Sequence, residues 1–167
     1  MAESVKERFL KHLRDEYART DKVLRAFPND KLDFKPHEKA MPARQLAWLL
    51  VQGHGFLERA IKEGFDWSKP PSKRPEPPAT VEEMAAALKQ QFESLEATVK
   101  AASDEKLAGT VQFMTGPKQL GDVNLTDFLW FILFDHVHHR GQLSTYLRIA
   151  GGKVPSIYGP SADEPWT

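Results

Sequence analysis

The residues of this chain best equipped for chemistry are crowded into Asp135–Arg140, read as DHVHHR. A carboxylate, three of the chain's six histidines and an arginine follow one another there. On a helix, positions four apart share a face with Cβ atoms about 5–6 Å apart, which pairs Asp135 with His139. His136 is three residues from His139 and also its neighbour, while His138 is turned about 100° from it by the helical period. Two donors in this relation are how helical bundles begin a metal site. The same two groups can serve without a metal, as a carboxylate–imidazole pair that accepts a proton. A metal needs a third ligand, which the pair does not supply. The alternative is that these rings are surface or hydrogen-bonded core residues, and burying several of them without partners is costly.

Around the pair stand candidates for secondary roles. His136 or His138 could orient a ligand from behind or shuttle protons. Arg140 could hold a substrate carboxylate or serve as a surface salt-bridge residue. Tyr158 could donate a hydrogen bond at the mouth of the site or act as a structural aromatic.

These residues need a helix under them, and the apolar spacing provides one. The run Phe128–Phe134 enters the cluster and Leu143–Ile149 leaves it, so residues 125–150 read as a last helix that Gly151 and Gly152 end. Upstream, Val5, Phe9, Leu13, Tyr17, Leu24 and Phe27 recur at helical steps across residues 4–27, and Pro28 stops that helix. A second helix runs from Pro42 to about Gly64 and is apolar on nearly all sides, which makes it central. Gly53 and Gly55, in one turn of it, imply close packing or something bulky nearby. Thr80 with Glu83 forms a capping box, and Met84, Leu88, Phe92, Leu95 and Val99 mark a third helix that ends near Ala102. Between the second and third helices lies a proline-rich extended loop over residues 68–79, long enough to cross the end of a bundle. Residues 103–124 are a longer connection, with VQFM as a short strand and GPKQLG as a turn. Phe56, Phe65 and Trp67, near the end of the second helix, are either a docking surface or a satellite core beneath the proline-rich loop.

The pattern predicts an all-α fold. It is an up-down-type four-helix bundle with long connections and an ordered, non-helical C-terminal tail, spanning residues 1–167 as a single domain. Composition narrows the functional classes. With 23 basic and 23 acidic residues the net charge is zero, which argues against a basic nucleic-acid face. No apolar run approaches the ~20 residues that span a bilayer, and the charged N-terminus has no signal-peptide core. The absence of cysteine excludes disulfides, thiolate catalysis and sulfur-ligated zinc. The expected location is cytoplasmic.

HHRGQLSTYLR at 138–148 and VPSIYGPSADEP at 154–165 resemble the DinB-like family, also called the YfiT-like metalloenzymes. LDFKPHEKAM at 32–41 and RQLAW at 44–48 are similar to it too, so the resemblance covers nearly the whole chain. It implies a four-helix bundle, often a homodimer, with a divalent metal such as zinc, nickel or manganese. The implied ligands are three histidines, one from the second helix and two spaced i, i+4 on the last. Some relatives are thiol-dependent transferases or isomerases, and others are metal-dependent hydrolases.

This chain departs from that pattern twice. The last-helix pair falls on Asp135 and His139, and aspartate is an acceptable ligand for zinc or harder ions. The second-helix histidine falls on Leu49, which cannot bind a metal. Of the nearest substitutes, Gln52 lies close to the same face one turn on, and His54 lies about 140° away. Three accounts follow. The site is rebuilt from Asp135, His139 and His54 or His138; or it has decayed; or the bundle has been engineered, with leucine making an apolar pocket or a binding surface. The sequence reading therefore places Asp135 and His139 in a cavity walled by Leu49 and Trp130, with Gln52, His138 and Tyr158 around it. The competing class is a non-catalytic scaffold that holds a small apolar molecule or a protein partner.

Overall fold

The computed structural model describes residues 3–68 and 75–166. Its elements in order are α1 (Val5–Arg25), a short 3₁₀ turn (Asn29–Lys31), α2 (Ala43–Lys62), α3 (Val81–Ala101), α4 (Asp104–Ala108), β1 (Thr110–Gly116), β2 (Gln119–Asn124) and α5 (Leu125–Ile149). The expected fold is the observed one, with the expected strand extended into a β1–β2 antiparallel hairpin. Among the described residues no helix is long and apolar enough to cross a membrane.

Local chemistry sets the helix ends. Ser4 and Glu7 form a capping box on α1, and Thr80 and Glu83 form the anticipated one on α3. Pro42, whose missing N–H is harmless at a helix start, is the N-cap of α2. Gly64 and Gly151 take the left-handed conformation just past α2 and α5, with φ of 71° and 85°. This is the backbone state for which glycine carries no steric cost.

Each of α1 and α2 packs against both α3 and α5. The direction of each helix follows from which ends share a core. The ends of α1 and α5 nearest their N-termini meet the second half of α2 and the last turns of α3 in one apolar cluster, built on Phe9, Leu13, Leu57, Leu95 and Phe128. The opposite ends meet in a second cluster, built on Leu24, Leu46, Leu50, Leu88 and Leu147. The bundle thus runs up, down, down, up, with α2 and α3 parallel and α2 and α5 antiparallel. Periodicity alone carries no direction, so the up-down expectation gains its order only here. A parallel α2–α3 pair needs a connection running the length of the bundle, which explains the proline-rich stretch. Residues 69–74 of that loop lie outside the described residues. On either side of them, Trp67 Nε1 donates to the Gln112 carbonyl at 2.9 Å and Trp48 Nε1 to the Pro75 carbonyl at 2.9 Å.

Phe56 and Phe65 pack onto the first apolar cluster and Trp67 lies exposed beside Phe65, while whether the proline-rich loop covers them falls on residues outside those described. Phe56 stacks on Phe65 at 4.5 Å between ring centroids, and both lie against Phe113 of β1 and Phe128 of α5.

Between the two apolar clusters lies a polar layer at the waist of the bundle. Glu16, Thr20, His54, His136 and Arg140 are the buried polar or charged residues among those described, and all five are in it. Buried polar groups need partners, and the partners they find decide what the DHVHHR segment does.

Candidate functional site

Helical phase splits the segment into an inward and an outward half. His136 points at α2, where its Nε2 occupies the space a β-carbon on Gly53 would take, 1.7 Å from that position. This is the bulky neighbour that the glycine anticipated. Arg140 is turned about 40° from His136 at 100° per residue, toward α1. His139 and Asp135 are turned about 60° and 100° the other way, to the outer flank of the α2–α5 groove.

The inward half is structural. Arg140 is 1% exposed and makes an ion pair with Glu16 Oε2 at 2.6 Å. It also donates to the Glu16 carbonyl, to Thr20 Oγ1 and to the Tyr158 hydroxyl. Tyr158 in turn donates to Glu16 Oε2 at 2.7 Å. Arg19 completes the cluster, 2.9 Å from Glu16 Oε1 and stacked over the Tyr158 ring. Burial, followed by the hydrogen bond to Glu16, pushes the Tyr158 hydroxyl's pKa upward. Arg140 therefore neither reaches a substrate nor sits at the surface. Together with Glu16 and Tyr158 it helps latch the C-terminal tail across α1 and α5, alongside the Arg148–Asp163 and Lys22–Glu164 pairs and the packing of Val154 and Ile157 on the core.

His54 and His136 face each other with ring centroids 5.1 Å apart. His54 Nδ1 lies 3.2 Å from the Leu50 carbonyl, which makes Nδ1 the protonated nitrogen. Burial drives the His54 pKa down to about 4, against a smaller opposing effect of the Leu50 and Val51 carbonyls. His136 is pushed well below its usual value by burial first, then by His54, His139 and Arg140. Its Nε2 is buried without a hydrogen-bond partner.

The outward half has a different character. Asp135 Oδ2 lies 3.4 Å from His139 Nε2, with the two side chains 41% and 20% exposed. His139 Nδ1 lies 2.9 Å from Gln142 Oε1, and Gln142 Nε2 lies 3.1 Å from His138 Nε2. Because α2 and α5 are antiparallel and Gly53 meets His136, one turn back on α2 brings Leu49 level with residues 139 and 140. Leu49 and Gln52 are both half-buried on that flank. The pair thus occupies the rim of a groove beside Leu49 and not an enclosed chamber.

Trp130 is no wall of this groove. Its ring lies 5.3 Å from Phe9 and 5.4 Å from His12, both on α1. A cavity of about 440 Å³ lies elsewhere, at the end of the bundle where Lys6, Phe9, Val99, Leu107 and Leu129 meet.

The donor set does not fit the three-ligand centre that the resemblance implies. Asp135 and His139 could offer two donors, but His54 is engaged with His136 in the waist and Leu49 stands on the α2 side. Among the described residues no group of three or more histidine, aspartate or glutamate side chains comes together to hold an ion.

Sequence reasoning missed Glu16 and Gln142. Glu16 had a signal, since the buried stripe of α1 runs Phe9, Leu13, Glu16, Thr20, Val23, Leu24, and a carboxylate on an apolar stripe implies a buried cation. Gln142 sits three residues after His139 and could have been read from the same spacing rule as the pair itself.

Three comparisons bear on this architecture. A protein-family model described as the DinB family matches residues 1–166. In sequence the chain is 24% identical over 159 residues to YrdA, an uncharacterised protein of Bacillus subtilis (strain 168), covering 95% of this chain and 90% of YrdA. In structure it is similar to a DinB-like protein from Bacillus cereus ATCC 10987, with a TM-score of 0.75 at 19% identity, over 95% of this chain and 100% of that one. It is also similar to YfiT from Bacillus subtilis, described as a probable metal-dependent hydrolase with an unusual four-helix bundle topology. There the TM-score is 0.66 at 16% identity, over 89% of each chain.

Proposed function

The chain belongs to the DinB family, and from that premise we propose that it carries an altered form of the family's divalent-metal site. In this reading α5 keeps its half of the site as Asp135 and His139, while α2 presents Leu49 in place of a ligand. The remaining pair is a carboxylate–imidazole base at the rim of the α2–α5 groove. The observation that carries this is the geometry of His139, with Nε2 3.4 Å from the Asp135 carboxylate and Nδ1 2.9 Å from Gln142 Oε1. A water, hydroxyl or thiol in the groove would give its proton to Nε2, and the carboxylate faces the nitrogen on which the positive charge develops. Contacts between charged partners of this kind shorten to about 2.7–2.9 Å. Decay and deliberate alteration place the same side chain at position 49 and lead to the same chemistry.

Metal uptake tests the proposal. Titration of the purified protein with Zn²⁺, Ni²⁺ and Mn²⁺ is expected to give no stoichiometric, chelator-sensitive binding, whereas Leu49→His binds one ion and loses it when His139→Ala is added. One equivalent bound by the unaltered chain and lost in His139→Ala alone would overturn the altered-site reading and return the chain to metal-dependent chemistry, the class named for YfiT.

A second reading, a binding bundle without catalysis, draws on Phe131 and Phe134, which stand 57% and 63% exposed on the outer face of α5. A second copy of the chain is the occupant it proposes, the homodimer expected from the resemblance. A mass that stays monomeric at all concentrations would dismiss that occupant.

A further inference from the structure

We infer that Gln142 is the positioning residue that makes His139 a base, by dictating which ring nitrogen carries the proton. The inference rests on the proposed role of the Asp135–His139 pair and deepens it. A neutral imidazole has one N–H and one lone pair, and the hydrogen bond made by one nitrogen decides what the other offers. His139 has two candidate partners, both oxygen acceptors. Asp135 Oδ2 stands 3.4 Å from Nε2, and Gln142 Oε1 stands 2.9 Å from Nδ1.

If the Asp135 contact prevailed, Nε2 would carry the proton, point it at the carboxylate and have no lone pair for a substrate. The pair would be a closed salt-bridge-like contact with no basic nitrogen on the groove. If the Gln142 contact prevails, Nδ1–H donates to Oε1 and the Nε2 lone pair is left beside the groove. The distances favour the second arrangement, since 2.9 Å is ordinary for an N–H···O bond and 3.4 Å lies beyond the usual range.

The orientation of the Gln142 amide belongs to the same arrangement. An amide has a carbonyl oxygen that only accepts and a nitrogen that only donates. Gln142 Nε2 lies 3.1 Å from His138 Nε2, so it donates there and His138 accepts. That leaves Oε1 facing His139, where only an Nδ1–H can satisfy it. With the amide in this orientation the chain His138, Gln142, His139 runs from the Gln142 amide outward to His138 and from His139 inward to Gln142, whereas the reversed amide would require the Nε2–H ring. His138 is exposed and takes no part in the waist. Its place in this reading is to hold the amide the right way round.

The experiment is long-range ¹H–¹⁵N correlation spectroscopy of the histidine rings in the chelator-treated full chain, at a pH where the imidazoles are neutral. His139 is expected as the Nδ1–H tautomer. Gln142→Met keeps the length of the side chain and removes the acceptor, and is expected to move the tautomer ratio toward Nε2–H by roughly two- to tenfold, the worth of one net hydrogen bond. Gln142→Glu keeps an acceptor at the same reach and is expected to hold the Nδ1–H form. The inference is overturned by an Nε2–H ring in the unaltered protein, or by an unchanged ratio in Gln142→Met. Helical circular dichroism of both variants reports that the bundle is intact, and Gln142 is exposed, so its loss removes no core contact. Metal uptake by the unaltered chain would end the altered-site reading while leaving the tautomer measurement to stand or fall by itself.

Discussion

Two pairs of a carboxylate and a nitrogen side chain lie within two helical turns of α5 and have opposite characters. Arg140 and Glu16 meet at 2.6 Å in the waist of the bundle, with side chains 2% and 11% exposed. Asp135 and His139 meet at 3.4 Å on the groove, 41% and 20% exposed. Both contain a carboxylate and a nitrogen base, and residue type does not separate them. What separates them is about 100° of helical phase. The buried pair has every neighbour it needs and nothing to give a substrate. The rim pair is incompletely satisfied and open to small molecules. The saturated pair belongs to the architecture, and the proposed chemistry rests on the loosely satisfied one.

That contrast is broken most severely by removing one partner of the inner pair. Arg140→Leu leaves the Glu16 carboxylate in the waist with only the more exposed Arg19 as its cation and removes one of the contacts that hold Tyr158 of the tail. Loss of one partner from a buried ion pair costs about 3–5 kcal/mol, so chemical denaturation should show a stability loss of that size. A loss under about 1 kcal/mol, the range of exposed pairs, would erase the distinction between waist and rim.

The waist should also govern acid stability. His54 titrates near 6.5 in an unfolded chain, and burial lowers it to about 4 in the fold. A histidine depressed in this way is neutral in both states above about pH 6.5, so it contributes nothing pH-dependent there. As the pH falls from 6.5 toward 4, the unfolded chain binds a proton that the folded chain refuses, and stability drops. The shift corresponds to about 3 kcal/mol lost by pH 4, and His136 acts in the same direction. Urea midpoints measured between pH 7 and 4 should decline, with His54→Leu removing about one proton of slope. A midpoint flat across that window in the unaltered protein would show that the waist is open to water.

How much of this was legible beforehand follows from the same split. The helices and both glycine-terminated ends were readable because apolar spacing and caps are local properties of the chain. The proline-rich loop was readable as a loop, but its course along the bundle was not, because helix direction is set by which core ends meet. The Asp135–His139 pairing was readable from a spacing of four. The fate of Arg140 was not, because Glu16 lies 124 residues away on another helix. His54 read as a substitute ligand because it was the nearest imidazole in sequence. In space its neighbour is His136, held close by the missing side chain of Gly53.

The rim supplies the smallest effect and the sharpest control. Asp135→Asn keeps the size of the side chain and removes its charge, at a site where the carboxylate is 41% exposed and solvent already screens the pair. Exposed pairs contribute about 0–1 kcal/mol, so stability should fall by less than that. The Arg140 network lies on the far side of His136 and should keep the tail in place. If activity toward a substrate is found, the same variant should depress it without unfolding the chain, because an amide at position 135 offers no negative charge to an imidazolium at His139. A loss of several kcal/mol in Asp135→Asn would mean that the rim is as deeply built into the fold as the waist. The groove would then have no loosely held pair to spare for chemistry.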